Sequence, residues 1–308
     1  MAKVSIIGAG NVGATAADVI ARSGYCHEVV LLDIKPGLAE GKALDIAQTS
    51  PLLGFDTQVR GVTNDYKAVA DSDVVVITSG RPRSPGMSRD DLVHVNAEII
   101  KSVIEPAVFY APNAVFIVVT NPLDTMTYYA YKLSRLPSQR VVGMAGVLDT
   151  ARYRYFLAQE LKASVQDIEA MLLGGHGDTM VPLPRYTTIG GIPVMNLLSK
   201  DKLDAIIERT KFGGGELTKL LGTSAWYAPG TAVAQMVASI LLDQKRILPC
   251  SAYLQGQYGL EDIYIGVPVK LGRHGVEEII QLALDEEERK LLHASAQAVR
   301  SMNAVLKF

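Results

Sequence analysis

Along the first half of the chain, short runs of β-branched residues alternate with stretches whose apolar residues recur at helical spacing. The runs fall at residues 4–7, 29–32, 74–77 and 115–119, with a briefer one at 141–142. They are apolar at every position rather than at every second one, as a parallel sheet covered by helices on both faces requires. The pattern predicts a doubly wound α/β unit. Beyond residue 143 the rhythm changes to a helix at 148–161, a strand-like 168–173 and a hairpin-like Ile189-Gly190-Gly191-Ile192-Pro193. Helical stretches follow at 202–211 and 231–242, strands near Tyr253 and at 263–269, and an amphipathic helix at 286–306. This second part reads as α+β. The expected division is 1–144 and 145–308, two domains packed closely with a cleft between them.

Composition removes several classes. Of 308 residues, 48% are hydrophobic and 20% charged, enough apolar surface for a full core and too little charge for disorder. Thirty basic against thirty-two acidic residues give a net charge of −2, with no basic stripe to follow a phosphate backbone, so nucleic acid is not an expected partner. Cys26 and Cys250 lie far apart and fit no metal-ligand spacing, so neither a disulfide framework nor a metal is expected, and a reducing compartment fits. The chain opens directly into Val4-Ser5-Ile6-Ile7 without the features of a signal peptide. No apolar run reaches the length of a membrane span, and the expectation is a soluble cytoplasmic protein without membrane partners.

Candidate chemistry begins where the first strand ends. Gly8-Ala9-Gly10-Asn11-Val12-Gly13 follows that strand and opens a helix, the context in which G-x-G-x-x-G acquires meaning. The glycines permit a tight turn, close approach of a pyrophosphate and close helix packing, while the helix N-terminus attracts phosphate charge. Asp33 ends the second strand, twenty residues after Gly13. A carboxylate there can accept hydrogen bonds from both adenosine ribose hydroxyls and repels a 2′-phosphate; the plain alternative is an ordinary acidic residue at a strand end. Taken together these features predict a Rossmann-type nicotinamide dinucleotide site, with NAD favoured over NADP.

Further candidates sit at the carboxyl edge of the same sheet, where open α/β sheets bind ligands. The loop after the third run carries Arg81, Arg83 and Arg89, three arginines within nine residues, which can meet an anionic substrate or can simply be a solvated basic loop. Asn121, directly after the fourth run, can donate and accept at a nicotinamide or at a substrate carbonyl, although its place before Pro122 also suits a turn. Asp149 and Arg152 are three apart in a predicted helix and share a face, an arrangement equally compatible with a structural ion pair. His176 is flanked by Gly174, Gly175 and Gly177, so backbone can bring its ring close to a substrate, and an imidazole suits acid–base work near neutral pH. The remaining histidines, His27, His94, His274 and His293, read as surface or satisfied core residues.

With these segments in order, the chain resembles the lactate/malate dehydrogenase family along its whole length. The matching segments are 8–13, 31–33, 83–89, 119–122, 148–152 and 175–178. The resemblance implies that His176 takes the hydroxyl proton of a 2-hydroxy acid while Asp149 orients the ring and stabilises the imidazolium. It implies that Arg152 grips the carbon-1 carboxylate through a bidentate fork, and that Arg89 polarises the carbonyl oxygen. Asn121 would also contact substrate, and Asn96 with Val119, Thr120 and Asn121 would border the cofactor. In this family the position of Arg83 is commonly glutamine in lactate enzymes and arginine in malate enzymes, so Arg83, six positions before Arg89, points to malate and oxaloacetate. A second buried carboxylate needs an opposite charge, and leaving it unpaired costs several kcal/mol. Arg81 is then assigned to the outer, solvated side of the loop. Relatives of this type are often homotetramers, and homodimers occur. Two rivals stay open: a dehydrogenase for lactate or another 2-hydroxy acid, and a dinucleotide-binding module without turnover.

Overall fold

The computed structural model describes residues 2–82 and 88–308. Arg83 lies outside the described residues, as does the side chain of Arg89.

The amino-terminal half builds β1 (Lys3–Ile7), α1 (Asn11–Arg22), β2 (Glu28–Asp33), α2 (Leu38–Gln48), α3 (Ser50–Leu53), β3 (Gln58–Thr63) and β4 (Val74–Ile77). It continues through α4 (Arg89–Tyr110), β5 (Val115–Val118), α5 (Leu123–Ser134) and β6 (Val141–Gly143). All of these strands are parallel, and the expected apolar runs fall on β1, β2, β4, β5 and β6. Period-two alternation explains why a doubly covered sheet needs apolar residues throughout. Val74, Val76 and Ile117 enter one core with α1, while Val75, Ile77, Phe116 and Val118 enter another against Ile100 and Ile104 of α4. The sequence reading missed β3. It is an edge strand with no fully buried residue, so its mixed Gln-Val-Arg-Gly-Val-Thr carries no continuous apolar run.

The second half begins with α6 (Gly146–Leu161) and the short strands β7 (Ile168–Glu169), β8 (Leu172–Leu173), β9 (Val181–Pro182), β10 (Thr188–Ile189) and β11 (Ile192–Pro193). The expected hairpin is the β10–β11 pair. Then come α7 (Lys200–Leu221), α8 (Tyr227–Leu241), β12 (Arg246–Gln255), β13 (Glu261–Gly272), β14 (Gly275–Ile279) and α9 (Glu286–Asn303). The carboxyl-terminal helix starts where its capping box dictates: Asp285 accepts from the Glu288 amide and Glu288 accepts from the Asp285 amide.

Two features go beyond the sequence pattern. First, β12–β14 add antiparallel to β6, giving one nine-stranded sheet in the order β14-β13-β12-β6-β5-β4-β1-β2-β3. Gly143 pairs with Ser251, so hydrogen bonding runs across the expected division, which periodicity cannot reveal because it is blind to which strands pair. Second, α7 runs to Leu221, well past residue 211, straight through Gly213-Gly214-Gly215. Glycine costs about 1 kcal/mol relative to alanine inside a helix, which is why the pattern alone stops short. Among the described residues no helix is long and apolar enough to cross a membrane.

Candidate active site

At the carboxyl edge of β1 the chain turns under tight constraint. Gly8 has φ +110°, and a Cβ on it would meet the Ser79 amide and the Thr78 hydroxyl at 2.7 Å. A Cβ on Gly13 would collide with the Gly8 carbonyl oxygen, so α1 packs against the turn only with glycine there. Gly10 faces open space, the approach a pyrophosphate needs. Ala9 is buried, and Asn11 begins α1 behind it. Asp33 at the end of β2 reaches this turn: its Oδ2 accepts the Ala9 amide at 2.7 Å and its Oδ1 the Lys35 amide at 2.9 Å. The residues present fit a dinucleotide: bare backbone open at Gly10 for phosphates, and a carboxylate at the end of the next strand able to take ribose hydroxyls.

Side chains lace the next two loops to this turn. Thr78 Oγ1 donates to the Gly8 carbonyl at 2.8 Å and Thr120 Oγ1 to the Ser79 carbonyl at 2.6 Å. Asn96, 1% exposed, accepts the Arg81 amide at 2.7 Å and donates to the carbonyls of Arg81 and Asn121 at 3.1 and 2.6 Å. It lines the cavity, and its amide clamps both loops. Arg81 is exposed at the rim, and Val119 is held to Ile77 through its amide at 2.9 Å.

These loops form one wall of a cavity of about 500 Å³. Val12, Asn96, Val119, Thr120 and Asn121 line it from the sheet side, and Arg152 and His176 from the other. The Nδ1–H of His176 donates to Asp149 Oδ2 at 2.8 Å; a carboxylate only accepts, so Nε2 is left for a substrate. Asp149, 2% exposed, also accepts Arg152 Nη1 at 3.2 Å through Oδ1. Burial pulls the imidazolium's pKa down, but the charge and hydrogen bond of Asp149, with a contribution from Asp124, outweigh this and hold it above the ordinary histidine value. Arg152 Nε is buried and has no hydrogen-bond partner among the described residues. The residue lines the cavity, and a guanidinium there is chemically suited to hold a carboxylate.

Several contributors escaped the sequence reading. Asp124, buried in the first turn of α5, accepts the His176 amide at 2.8 Å, and Ser295 of α9 accepts the Gly175 amide at 2.8 Å. Nothing local marks either residue. The glycines of α7 also went unread: a Cβ on Gly213 would press on Arg152 Cδ at 3.3 Å, so the bare helix face makes room for that arginine. Gly214, Gly215, Ser224 and Ala225 close the cavity roof.

An imidazole–carboxylate pair set opposite a dinucleotide turn across one cleft defines a dinucleotide-dependent dehydrogenase. The chain belongs to the lactate/malate dehydrogenase family: residues 2–143 match its NAD binding domain and residues 146–308 its alpha/beta C-terminal domain. The malate dehydrogenase of Cytophaga hutchinsonii is 61% identical over 304 residues, 99% of this chain and 97% of that one. Among solved structures, malate dehydrogenase from Salinibacter ruber superposes with a TM-score of 0.94 at 56% identity, covering 98% of this chain and 97% of its own. The lactate dehydrogenase of Cryptosporidium parvum, complexed with lactic acid and NAD, reaches 0.95 at 39% identity, covering 99% and 97%. Backbone shape is therefore common to both substrate classes.

Proposed function

We propose that this protein catalyses the reversible NAD-dependent oxidation of (S)-malate to oxaloacetate. The observation that carries the chemistry is the His176–Asp149 hydrogen bond of 2.8 Å beside Arg152 in the cavity. His176 accepts the hydroxyl proton at Nε2 during oxidation and returns it during reduction. Asp149 fixes the tautomer and stabilises the imidazolium. Arg152 holds the carbon-1 carboxylate. Bound NAD supplies the acceptor for the hydride leaving carbon 2. Gly8, Ala9, Gly10, Asn11, Val12 and Gly13 carry the pyrophosphate, Asp33 the ribose, and Asn96, Val119, Thr120 and Asn121 the nicotinamide end, with Asn121 also reaching substrate. Arg89 polarises the reacting carbonyl and Arg83 pairs with the carbon-4 carboxylate.

The substrate rests on Arg83 together with relatives named malate dehydrogenase at 61% and 59% identity over nearly the whole chain. The likeness to the Cryptosporidium lactate dehydrogenase gives the second reading its basis, turnover of lactate or another 2-hydroxy acid. Spectrophotometric NADH oxidation with oxaloacetate and with pyruvate, side by side, separates them. A strong preference for oxaloacetate is expected, equal rates defeat the dicarboxylate assignment, and no turnover of either returns the chain to a binding role. We further take residues 1–144 as the dinucleotide domain and 145–308 as the substrate domain, in a cytoplasmic homo-oligomer, a tetramer or a dimer. Exposed Leu44, Leu52 and Leu53 on α2 and α3 support self-association, which light scattering measures directly.

A further inference from the structure

One buried carboxylate beside His176 has no part in the chemistry proposed above. Asp124 is 3% exposed, and among the described residues no cation pairs with it. Its Oδ2 accepts the His176 amide at 2.8 Å across 52 residues of sequence, and its Oδ1 accepts the Ser251 hydroxyl of β12 at 2.6 Å. The adjoining Gly175 amide is taken by Ser295 of α9 at 2.8 Å. Two consecutive amides of the histidine loop are thus each held by a buried side chain from a different element.

The loop needs this. Gly174 has φ +88° and Gly177 φ +107°, so the segment around His176 has backbone freedom on both sides and little side-chain bulk to fix it. The ring must nevertheless meet Asp149 Oδ2 at 2.8 Å, and the 19% exposure of its side chain leaves one edge open to the cavity. We propose that Asp124 is a positioning residue: by capturing the His176 amide it sets the histidine backbone so that the ring reaches Asp149 and the cavity together. A carboxylate suits the task because both oxygens accept, whereas an amide must present one particular end to Ser251. Its place in the first turn of α5 puts its charge at the favourable end of that helix. The contribution rests on the catalytic reading of His176 and adds a residue to it.

Among the described residues, the charged groups acting on His176 are Asp149 and Arg152 from α6 and Asp124 from α5, and Lys211 of α7, Arg81 at the rim and Asp178 on its own loop line the same cavity. Asp149 is the one that raises the imidazole's pKa most, so a ring displaced from Asp149 must titrate lower. The test uses Asp124→Ala and Asp124→Asn in the full-length protein, with three readouts: kcat for oxaloacetate reduction, NADH affinity by fluorescence, and the His176 pKa by NMR of labelled histidine without substrate. Asp124→Ala should lower kcat about tenfold or more, since displacements of about 1 Å at a catalytic group can cost 10²-fold. NADH affinity should stay within about twofold, and the His176 resonance should titrate at lower pH. Asp124→Asn, which can still accept the amide, should retain about a third or more of kcat, and His176 should titrate below wild type only by the loss of Asp124's own charge and above Asp124→Ala.

Asp124→Ala with wild-type kcat and an unmoved histidine overturns the proposal. So does Asp124→Asn lowering both as far as alanine does, because the effect would then be charge rather than position. If Asp124→Ala does not fold, Ser251→Ala, which loosens the same carboxylate, should give a fall of about threefold with the same downward titration; wild-type values in it overturn the proposal. The substrate-free NMR readout stands even if wild-type enzyme fails on oxaloacetate, so failure of the functional reading and failure of this one are distinguishable.

Discussion

The two walls of the cavity are made from different materials. The cofactor wall is mostly main chain: Gly8, Gly10 and Gly13 contribute absence of bulk, and Thr78, Thr120 and Asn96 tie loops together through carbonyls and amides. The substrate wall is mostly side chain, with His176, Asp149 and Arg152 converging from a loop and α6 and held from behind by Asp124 and Ser295. A main-chain wall tolerates no added atoms but demands little chemical identity. A side-chain wall demands particular functional groups. Damage to the first should appear in cofactor affinity, and damage to the second in turnover.

The largest effect that sharpens this contrast is His176→Asn. General acid–base catalysis contributes about 10²- to 10⁴-fold, so kcat should fall by that order while NADH affinity, measured by fluorescence, barely moves. Substantial residual turnover would remove His176 from the mechanism. Asp149→Asn should cost less and add a signature in pH. The folded imidazole titrates above its ordinary value because of Asp149, and reduction needs the protonated ring. Wild-type oxaloacetate reduction should therefore persist to a pH above about 6.5, the free-imidazole value, and Asp149→Asn should bring that decline to lower pH. An unmoved profile would mean the titrating group is not His176.

Arg83→Gln comes next and tests the substrate wall from its loop. Leaving one member of a desolvated charge pair alone costs about 3 to 5 kcal/mol, or roughly two to three and a half powers of ten. Oxaloacetate kcat/KM should fall by about that order and pyruvate should gain, while Arg81→Gln shifts the ratio far less. Collapse in Arg81→Gln alone would put the substrate partner two residues earlier in the loop.

What the chain disclosed before its structure follows the same division. The cofactor wall was readable because its elements are consecutive: a strand, a glycine turn, a helix, then an acid at the end of the next strand. His176 was visible through its glycines, and Asp149 with Arg152 through helical spacing, although spacing alone left an ion pair equally open. Asp124, Ser251 and Ser295 were not readable, since 52, 127 and 120 residues separate the partners of their bonds and only the fold brings them together. Fold legibility failed likewise where pairing is long-range. The strands β12–β14 join β6 across the expected division, and polar edge strand β3 hides among loops. Helix α7 was cut short because the glycines that admit Arg152 also weaken its helical signal.

Gly13→Ala breaks the cofactor wall by adding a single methyl group where the Gly8 carbonyl already stands. Either α1 or the turn must shift, and overpacking of this kind typically costs about 1 to 3 kcal/mol. NADH affinity should weaken about tenfold while kcat at saturating cofactor stays within a few fold. A drop in kcat with affinity intact would show that the two walls are not separable in this way.

The smallest expected effect concerns the acidic side chain proposed to recognise the cofactor's ribose. Asp33 spends Oδ2 on the Ala9 amide and Oδ1 on the Lys35 amide, so its carboxylate shapes the glycine turn besides the ribose role proposed for it. A 2′-phosphate there would place like charges a few ångströms apart, and even at the dielectric of bulk water that repulsion amounts to about 1 kcal/mol. Wild type should therefore prefer NADH over NADPH in kcat/KM. Asp33→Ser removes the charge but also the acceptor for the Ala9 amide, so NADH use should decline as NADPH use improves, and the preference should narrow by about tenfold. The direction of the two changes is informative. Loss with both cofactors and no narrowing would mean that Asp33 acts only on the turn. A wild type indifferent between the cofactors would take it away from the ribose altogether, and the cofactor wall would then be main chain throughout.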